Sequence, residues 1–356
     1  MRFLIVGDTH YKDHNAHDTS VMEKEIDRLI MDNNPKTIVF LGDTLDDNKR
    51  LDSGAQQRAQ NYMIDLTERY PDLEIILLIG NHDRYNNQDF LSEKHPFSGM
   101  EKRKNVTVVY DVVLREYGAE DERIRVCYVP YVPPGRFMEA VRTKVESSDI
   151  ETIDLFFGHQ DFKPVVPKGD DWDHMSTVIS GHYHKKYYVE GERIIYPGAP
   201  LTHAFGDDEE RFVLIYDINV ENNELTENPK FCKINVPVRR ELRIDVPMDS
   251  ETVARVKKFL NETDQIYARI HVTGTTEEID NFKRSYSARC SIMPHPIISI
   301  TERDEVADVV AKYKFKDLVN EELDVTEDEE ENGELIAALK RVRLELGLVT
   351  QVQIEE

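Results

Sequence analysis

The sequence predicts an α/β protein, on three observations. Short apolar runs end, one after another, in glycine and then a polar residue. Ile75-Ile76-Leu77-Leu78-Ile79-Gly80 before Asn81-His82-Asp83 is the fullest example, and such runs read as buried strands passing into loops. A helix with apolar residues at helical spacing lies between the first two runs, which makes a parallel βαβ unit. Beyond about residue 240 strand-like and helical segments alternate again, in a smaller unit.

Length and composition bound the function. A chain of 356 residues with 40% hydrophobic content builds one large domain and an accessory one. No apolar run approaches a membrane span, and Asp8 follows Met1 too closely for a signal peptide. Cys127, Cys232 and Cys290 are far apart with no Cys-x-x-Cys pair, so neither a zinc ribbon nor a disulfide framework is indicated. A reducing, cytoplasmic setting is expected. The net charge of −24 argues against a protein that coats nucleic acid with a basic face. It leaves room for a nucleic-acid enzyme, because bound divalent cations reverse the sign locally. The acidic run Glu327-Asp328-Glu329-Glu330-Glu331 reads as a solvated linker.

In chain order, Arg2 to Gly7 is a strand with Asp8-Thr9-His10 at its exit. A carboxylate and an imidazole two apart in extended chain point to one side and can reach one cation. Ser20-x-x-Glu23 reads as a capping box before Met22, Ile26, Leu29 and Ile30 at helical spacing. Thr37 to Leu41 is the next strand, ending in Gly42-Asp43 beside the first exit. Leu51 to Tyr70 is helical. Strands follow at Val106–Val109, Val112–Arg115 and Ile124–Val129, then a helix at Phe137–Val145. Ile153–Phe157 ends in Gly158-His159, and Thr177–Ser180 ends in Gly181-His182-Tyr183-His184. Further strands are expected at Lys186–Val189, Arg193–Tyr196, Phe212–Asp217 and Phe231–Val236.

The strand ends together offer Asp8, His10, Asp43, Asn81, His159, His182 and His184. Oxygen and imidazole donors in this mixture suit two divalent transition metals such as Mn²⁺, with Mg²⁺ a substitute. Asp43 is the natural bridge. Two such ions about 3.5–4 Å apart clamp a phosphoryl oxygen and supply a hydroxide for in-line attack. His82 is then free to protonate the leaving oxygen, with Asp83 fixing its tautomer.

Asp-x-His, Gly-Asp, Gly-Asn-His-Asp, Gly-His and Gly-His-x-His in this order resemble the signature of the calcineurin-like metallophosphoesterases, over about two-thirds of the chain. The resemblance implies a four-layer sandwich, two mixed β-sheets flanked by helices. It also implies that Asp8, His10, Asp43 and His184 hold one metal, that Asp43, Asn81, His159 and His182 hold the other, and that His82 is catalytic. Gly42-Asp43-Thr44-Leu45-Asp46-Asp47-Asn48-Lys49 is similar to a region of the SbcD-type double-strand-break repair nucleases. So is Tyr196-Pro197-Gly198-Ala199-Pro200 with Phe205-Gly206-Asp207. At Leu201-Thr202-His203 the chain departs from that family, which often carries a basic residue there.

The expected organisation is a nuclease domain over 1–237, a capping domain over 238–301 and a helix-loop-helix segment over 302–356. The second has strand-like pieces at Glu241–Val246, Ile266–Val272 and Ile297–Ile300, with helices at Glu251–Leu260 and Glu277–Ser285. It resembles the DNA-binding cap of SbcD-type nucleases; a purely structural appendage is the alternative. Val306–Leu323 and Leu335–Leu346 read as helices. Leu335, Leu339, Val342 and Leu346 form an apolar stripe that needs a partner surface. It resembles the segment by which such nucleases grip an SMC-like ATPase, and the compact length resembles viral recombination nuclease subunits. The resulting expectation is a Mn²⁺-dependent DNA nuclease of an SbcCD-like complex, homodimeric through helices near Leu51–Tyr70. Asn48, Lys49, Arg84 and Tyr85 are candidate DNA contacts because they flank metal-bearing loops. The rivals are a small-substrate phosphatase or nucleotide phosphodiesterase, and a non-catalytic scaffold.

Overall fold

The computed structural model describes residues 1–47, 52–119, 123–148, 150, 152–221 and 224–297. They divide into two units: Met1–Glu241 with Tyr267–Arg269, and Leu242–Ile266 with the described residues from Ile270 on.

The first unit begins β1 (Arg2–Val6), α1 (Ala16–Asn33), β2 (Thr37–Phe40), α2 (Ser53–Arg69), β3 (Glu74–Leu78), β4 (Val106–Val109). It continues β5 (Val113–Tyr117), β6 (Ile124–Tyr128), α3 (Phe137–Val145), β7 (Leu155–His159), β8 (Thr177–Gly181), β9 (Ile194–Ile195), β10 (Arg211–Glu221) and β11 (Glu224–Ile234). One sheet has the order β11-β10-β1-β2-β3-β4 and the other β5-β6-β7-β8-β9. β1 to β4 are parallel, with β10 antiparallel on the edge of β1. β6 to β9 are parallel, with β5 antiparallel to β6.

The period of two along each strand explains the layers. Phe3 and Ile5 of β1, Val39 of β2 and Ile76 and Leu78 of β3 face Ile124, Val126, Tyr128, Leu155 and Phe157 of the other sheet. The alternate residues Leu4, Val6, Ile38, Phe40, Ile75 and Leu77 face outward and are covered by Met22, Ile26 and Leu29 of α1 and by Ala59, Met63 and Leu66 of α2. Cys127, Phe156 and Val178 meet Phe137, Ala140 and Val141 of α3. The result is helix, sheet, sheet, helix, the expected sandwich. Strands buried on both faces cannot show polar alternation, which is why they read as continuous apolar runs.

Several boundaries differ from expectation. α1 starts a full turn before the Ser20 box. Asn15 is its N-cap, tied instead to Lys12 N–H and the His10 carbonyl, so Ser20 lies inside the helix. Lys186–Val189 is no strand; it contributes one bridge, Tyr187 to Tyr196. Among the described residues, no helix is long and apolar enough to cross a membrane.

The second unit carries β12 (Arg240–Asp245), α4 (Ser250–Glu262), β13 (Ala268–Gly274), α5 (Thr276–Tyr286) and β14 (Ser291–Pro296), with sheet order β12-β13-β14. Asp249 caps α4, and Thr275 with Glu278 forms a capping box on α5. Its last described strand, β14, precedes the expected Ile297–Ile300; Ile297 N–H donates to the Gly274 carbonyl, and residues 298–300 lie outside the described residues. Asn48, Lys49, the acidic run and both expected C-terminal helices lie outside the described residues.

Candidate metal centre

Parallel strands put their carboxyl ends on one edge, and the loops leaving β1, β2, β3, β7 and β8 carry the expected donors there. The chain turns sharply at these exits. Gly42 has φ +105°, and His10, Asp43 and His182 take positive φ of 43°, 47° and 75°. Non-glycine residues adopt that region at a cost, and such strain clusters at functional sites. Gly80 is needed for close approach, because a Cβ there would lie 2.2 Å from Asp43 Oδ1.

Two groups of donor atoms share Asp43: Asp8 with His10 and Asp43, and Asp43 with His159 and His182, each group within 4.8 Å. Asp43 Oδ2 is 3.3 Å from His159 Nε2, 3.8 Å from His10 Nε2 and 3.9 Å from His82 Nε2. His10 Nε2 and His184 Nε2 are 3.2 Å apart. His159 Nε2 is 3.1 Å from Asn81 Oδ1. The structure thus brings together all seven expected donors. Asp8, His10, Asp43 and His159 are almost fully buried.

The protein orients these rings from behind, as metal ligands require. His159 Nδ1–H donates to the Leu41 carbonyl at 2.7 Å, which turns Nε2 toward Asp43. His10 Nδ1 lies 3.3 Å from Asp46 Oδ1, which also pairs with Lys12 Nζ at 2.8 Å. Against the cost of its burial, His10 and Lys12 hold the Asp46 carboxyl below the usual range. His82 Nδ1–H donates to the Asp46 carbonyl. The His82 side chain is 39% exposed, at the open edge of the centre.

Two expected roles change. Asp83 does not orient His82. Its carboxylate accepts the backbone N–H groups of Thr44 at 3.0 Å, Leu45 at 2.8 Å and Gly80 at 3.1 Å, so it clamps the loops that carry Asp43 and Asn81 together. Asp83→Asn places an amide against those donors and is expected to lower unfolding stability by roughly 1–3 kcal/mol, read by chemical denaturation of the metal-free protein. Arg84 is turned inward, 3% exposed, and donates to the Tyr131 and Asp89 carbonyls at 2.7 Å each. Those donors are spent on the loop, so Arg84 is a strut and not a DNA contact. Tyr85 is 75% exposed.

Burial and electrostatics make the set a fit for cations. The Asp8 Oδ2 atom is buried without a hydrogen-bond partner, which is costly unless a charge sits opposite. Burial disfavours a charged Asp43, yet His159, His10 and His82 hold its carboxyl well below the usual range. Burial likewise disfavours a charged His159, yet Asp43 and then Asp8 push its pKa up to about 9. A cation takes only the neutral ring, so binding displaces a proton below that value. Affinity is expected to rise by about tenfold per pH unit up to about pH 9 and then to level. Calorimetry of Mn²⁺ binding in buffers of differing ionisation enthalpy reads the proton released.

His203 was not foreseen as part of the site. Its ring centroid lies 4.5 Å from His10 and 5.1 Å from His184. The signal in the sequence was a histidine between Pro200 and Phe205, beside a turn cluster of Pro and Gly.

A family model described as calcineurin-like phosphoesterase matches residues 1–192. A protein of Invertebrate iridescent virus 3 named "Putative phosphoesterase 078R" is 31% identical over 338 residues, 91% of this chain and 92% of its own. The similarly named 244L of Invertebrate iridescent virus 6 is 29% identical over 296 residues, 80% of this chain and 98% of its own. Among solved structures, a dimetal phosphatase from Danio rerio is 12% identical, covering 66% of this chain and 99% of its own, with a TM-score of 0.42.

Proposed function

The chain belongs to the calcineurin-like phosphoesterases, metal-dependent hydrolases, and from that premise we propose that it is a DNA nuclease cleaving phosphodiesters at DNA ends, with two Mn²⁺ ions. The observation that supports the reading is where the segment resembling SbcD-type nucleases, Tyr196 to Pro200, lies. Ala199 N–H of this segment donates to the His184 carbonyl at 3.0 Å. The resemblance therefore lies against the reacting centre. The half-exposed His82 and the exposed Tyr85 leave that edge open to a polymer.

In this reading Asp8, His10, Asp43 and His184 hold one cation, and Asp43, Asn81, His159 and His182 hold the other. Bound cations would polarise the phosphoryl oxygens and make water nucleophilic. The chain supplies the rest. Asp43 spans the two groups, Asp83 locks their loops, and Asp46 fixes the His10 and His82 rings. With Nδ1–H committed to the Asp46 carbonyl, a protonated His82 has Nε2–H to give to the leaving oxygen. Tyr85 offers a ring for base stacking. On the same resemblance, the chain binds an SMC-like ATPase through the stripe Leu335, Leu339, Val342 and Leu346, and pairs with a second copy through α2.

A small-substrate phosphatase is the second reading, favoured by the charge of −24. End-labelled duplex DNA incubated with Mn²⁺, Mg²⁺ or EDTA tests both. Mn²⁺-dependent shortening supports the nuclease. Intact DNA beside rapid hydrolysis of p-nitrophenyl phosphate overturns it in favour of the phosphatase.

A further inference from the structure

We propose that His203 is a metal-binding residue, its Nδ1 giving a third imidazole lone pair to the cation held by Asp8, His10 and His184. The ring belongs to no set implied by the family resemblance, and three features of the site point it at a cation.

The first is convergence. Donor atoms of His10, His184 and His203 all lie within 4.8 Å of one another. The 3.2 Å between His10 Nε2 and His184 Nε2 suits two neighbouring ligands on one ion, since metal–nitrogen bonds of about 2.1 Å place adjacent donors roughly 3 Å apart. His203 stands edge-on to both rings.

The second is the tautomer. His203 Nε2 lies 3.2 Å from the main-chain carbonyl oxygen of Asp8. A carbonyl only accepts, so Nε2 carries the hydrogen and Nδ1 the lone pair. That Nδ1 is buried and has no hydrogen-bond partner. A buried lone pair beside two other imidazoles is costly to leave unmet, and a cation satisfies it.

The third is rigidity. The His203 and Ala204 N–H groups both donate to Asp207 Oδ2, at 2.8 and 3.0 Å. The loop holds the ring in place before any cation arrives.

The consequence is an uneven centre. One end has Asp8, Asp43 and three imidazoles. The other has Asp43, Asn81, His159 and His182.

The inference rests on the metal-centre reading and is independent of the substrate. The test is Co²⁺ titration of the metal-free full chain, followed by calorimetry and visible absorption, for wild type, His203→Gln and His203→Ala. Gln keeps an N–H for the Asp8 carbonyl and removes the imidazole, so it separates ligation from anchoring. Both variants are expected to weaken one of two Co²⁺ ions by more than about 100-fold, beyond the 10–100-fold typical of an outer-shell partner, and to change the absorption band. A second measurement needs no variant. In ¹⁵N-histidine spectra of the Zn²⁺-loaded wild type, His203 Nδ1 is expected to leave the free lone-pair position. Wild-type affinities and spectrum in His203→Gln, or an unshifted His203 Nδ1, would overturn the assignment while leaving the metal centre intact. A wild type that binds no Co²⁺ would overturn both.

Discussion

Asp43→Asn is expected to cost the protein both proposed cations and nearly all hydrolysis. The change is isosteric, so its effect is charge and lone pairs. Asp43 Oδ2 lies within 3.9 Å of the His159, His10 and His82 rings, and Oδ1 accepts the His82 N–H at 2.8 Å. Among the described residues, no other carboxylate belongs to both donor groups. Removing one partner from a buried charge cluster costs about 3–5 kcal/mol, which is about 10²–10⁴ in the dissociation constant of each ion. The metal-free protein reports the same substitution independently. His159, held at about 9 largely by Asp43, should titrate lower in the variant. Asp83, raised to about 6 first by burial and then by Asp43, should return toward the ordinary carboxylate value. Metal content after dialysis, hydrolysis of bis-p-nitrophenyl phosphate and NMR titration of His159 measure the three effects. Retention of two equivalents of metal by the variant would remove Asp43 from the bridge.

The convergence of the candidate donors was legible because each follows a strand too apolar to be anything but buried. Parallel strands then carry their exits to one edge without further information. Asp8, His10, Asp43, Asn81, His159, His182 and His184 all follow from that rule. The residues that hold them were not legible, because their partners are distant in sequence. Asp83 looks like a partner for the adjacent His82. Its three donors, Thr44, Leu45 and Gly80, are fixed only when β2 and β3 lie side by side. Asp46 was one acidic residue in a run of them until the loop folded it under His10 and His82. Arg84 shows the opposite error: a basic residue beside a site reads as a substrate contact, but buried loop carbonyls needed its donors first. At the start of α1, the side chain of Asn15 bonds back along the chain, and the helix begins before the stronger local signal at Ser20. Local propensity lost there to the geometry of the β1 exit.

His82→Ala is expected to separate binding from chemistry. His82 belongs to neither metal-donor group, and its side chain is the most exposed of the imidazoles facing Asp43. Metal content should therefore match the wild type. The rate should fall by roughly 10²–10⁴, the range for a positioned general acid, with KM little changed because the ring acts at the transition state. The size of the loss should depend on the leaving group. An alkoxide such as a deoxyribose oxygen needs a proton to depart, and the Asp46 carbonyl holds the ring so that only Nε2–H can give it. A p-nitrophenolate departs without help, so the variant should lose far less on an activated ester than on DNA. Equal losses on both would mean that His82 stabilises charge on the phosphoryl group and does not donate a proton. Asp46→Ala leaves that main-chain carbonyl in place but removes the carboxylate from His10 and Lys12. It should lower metal affinity by about 10–100-fold and leave the leaving-group dependence unchanged. The opposite responses of these two variants would assign proton donation to His82 and ligand orientation to Asp46.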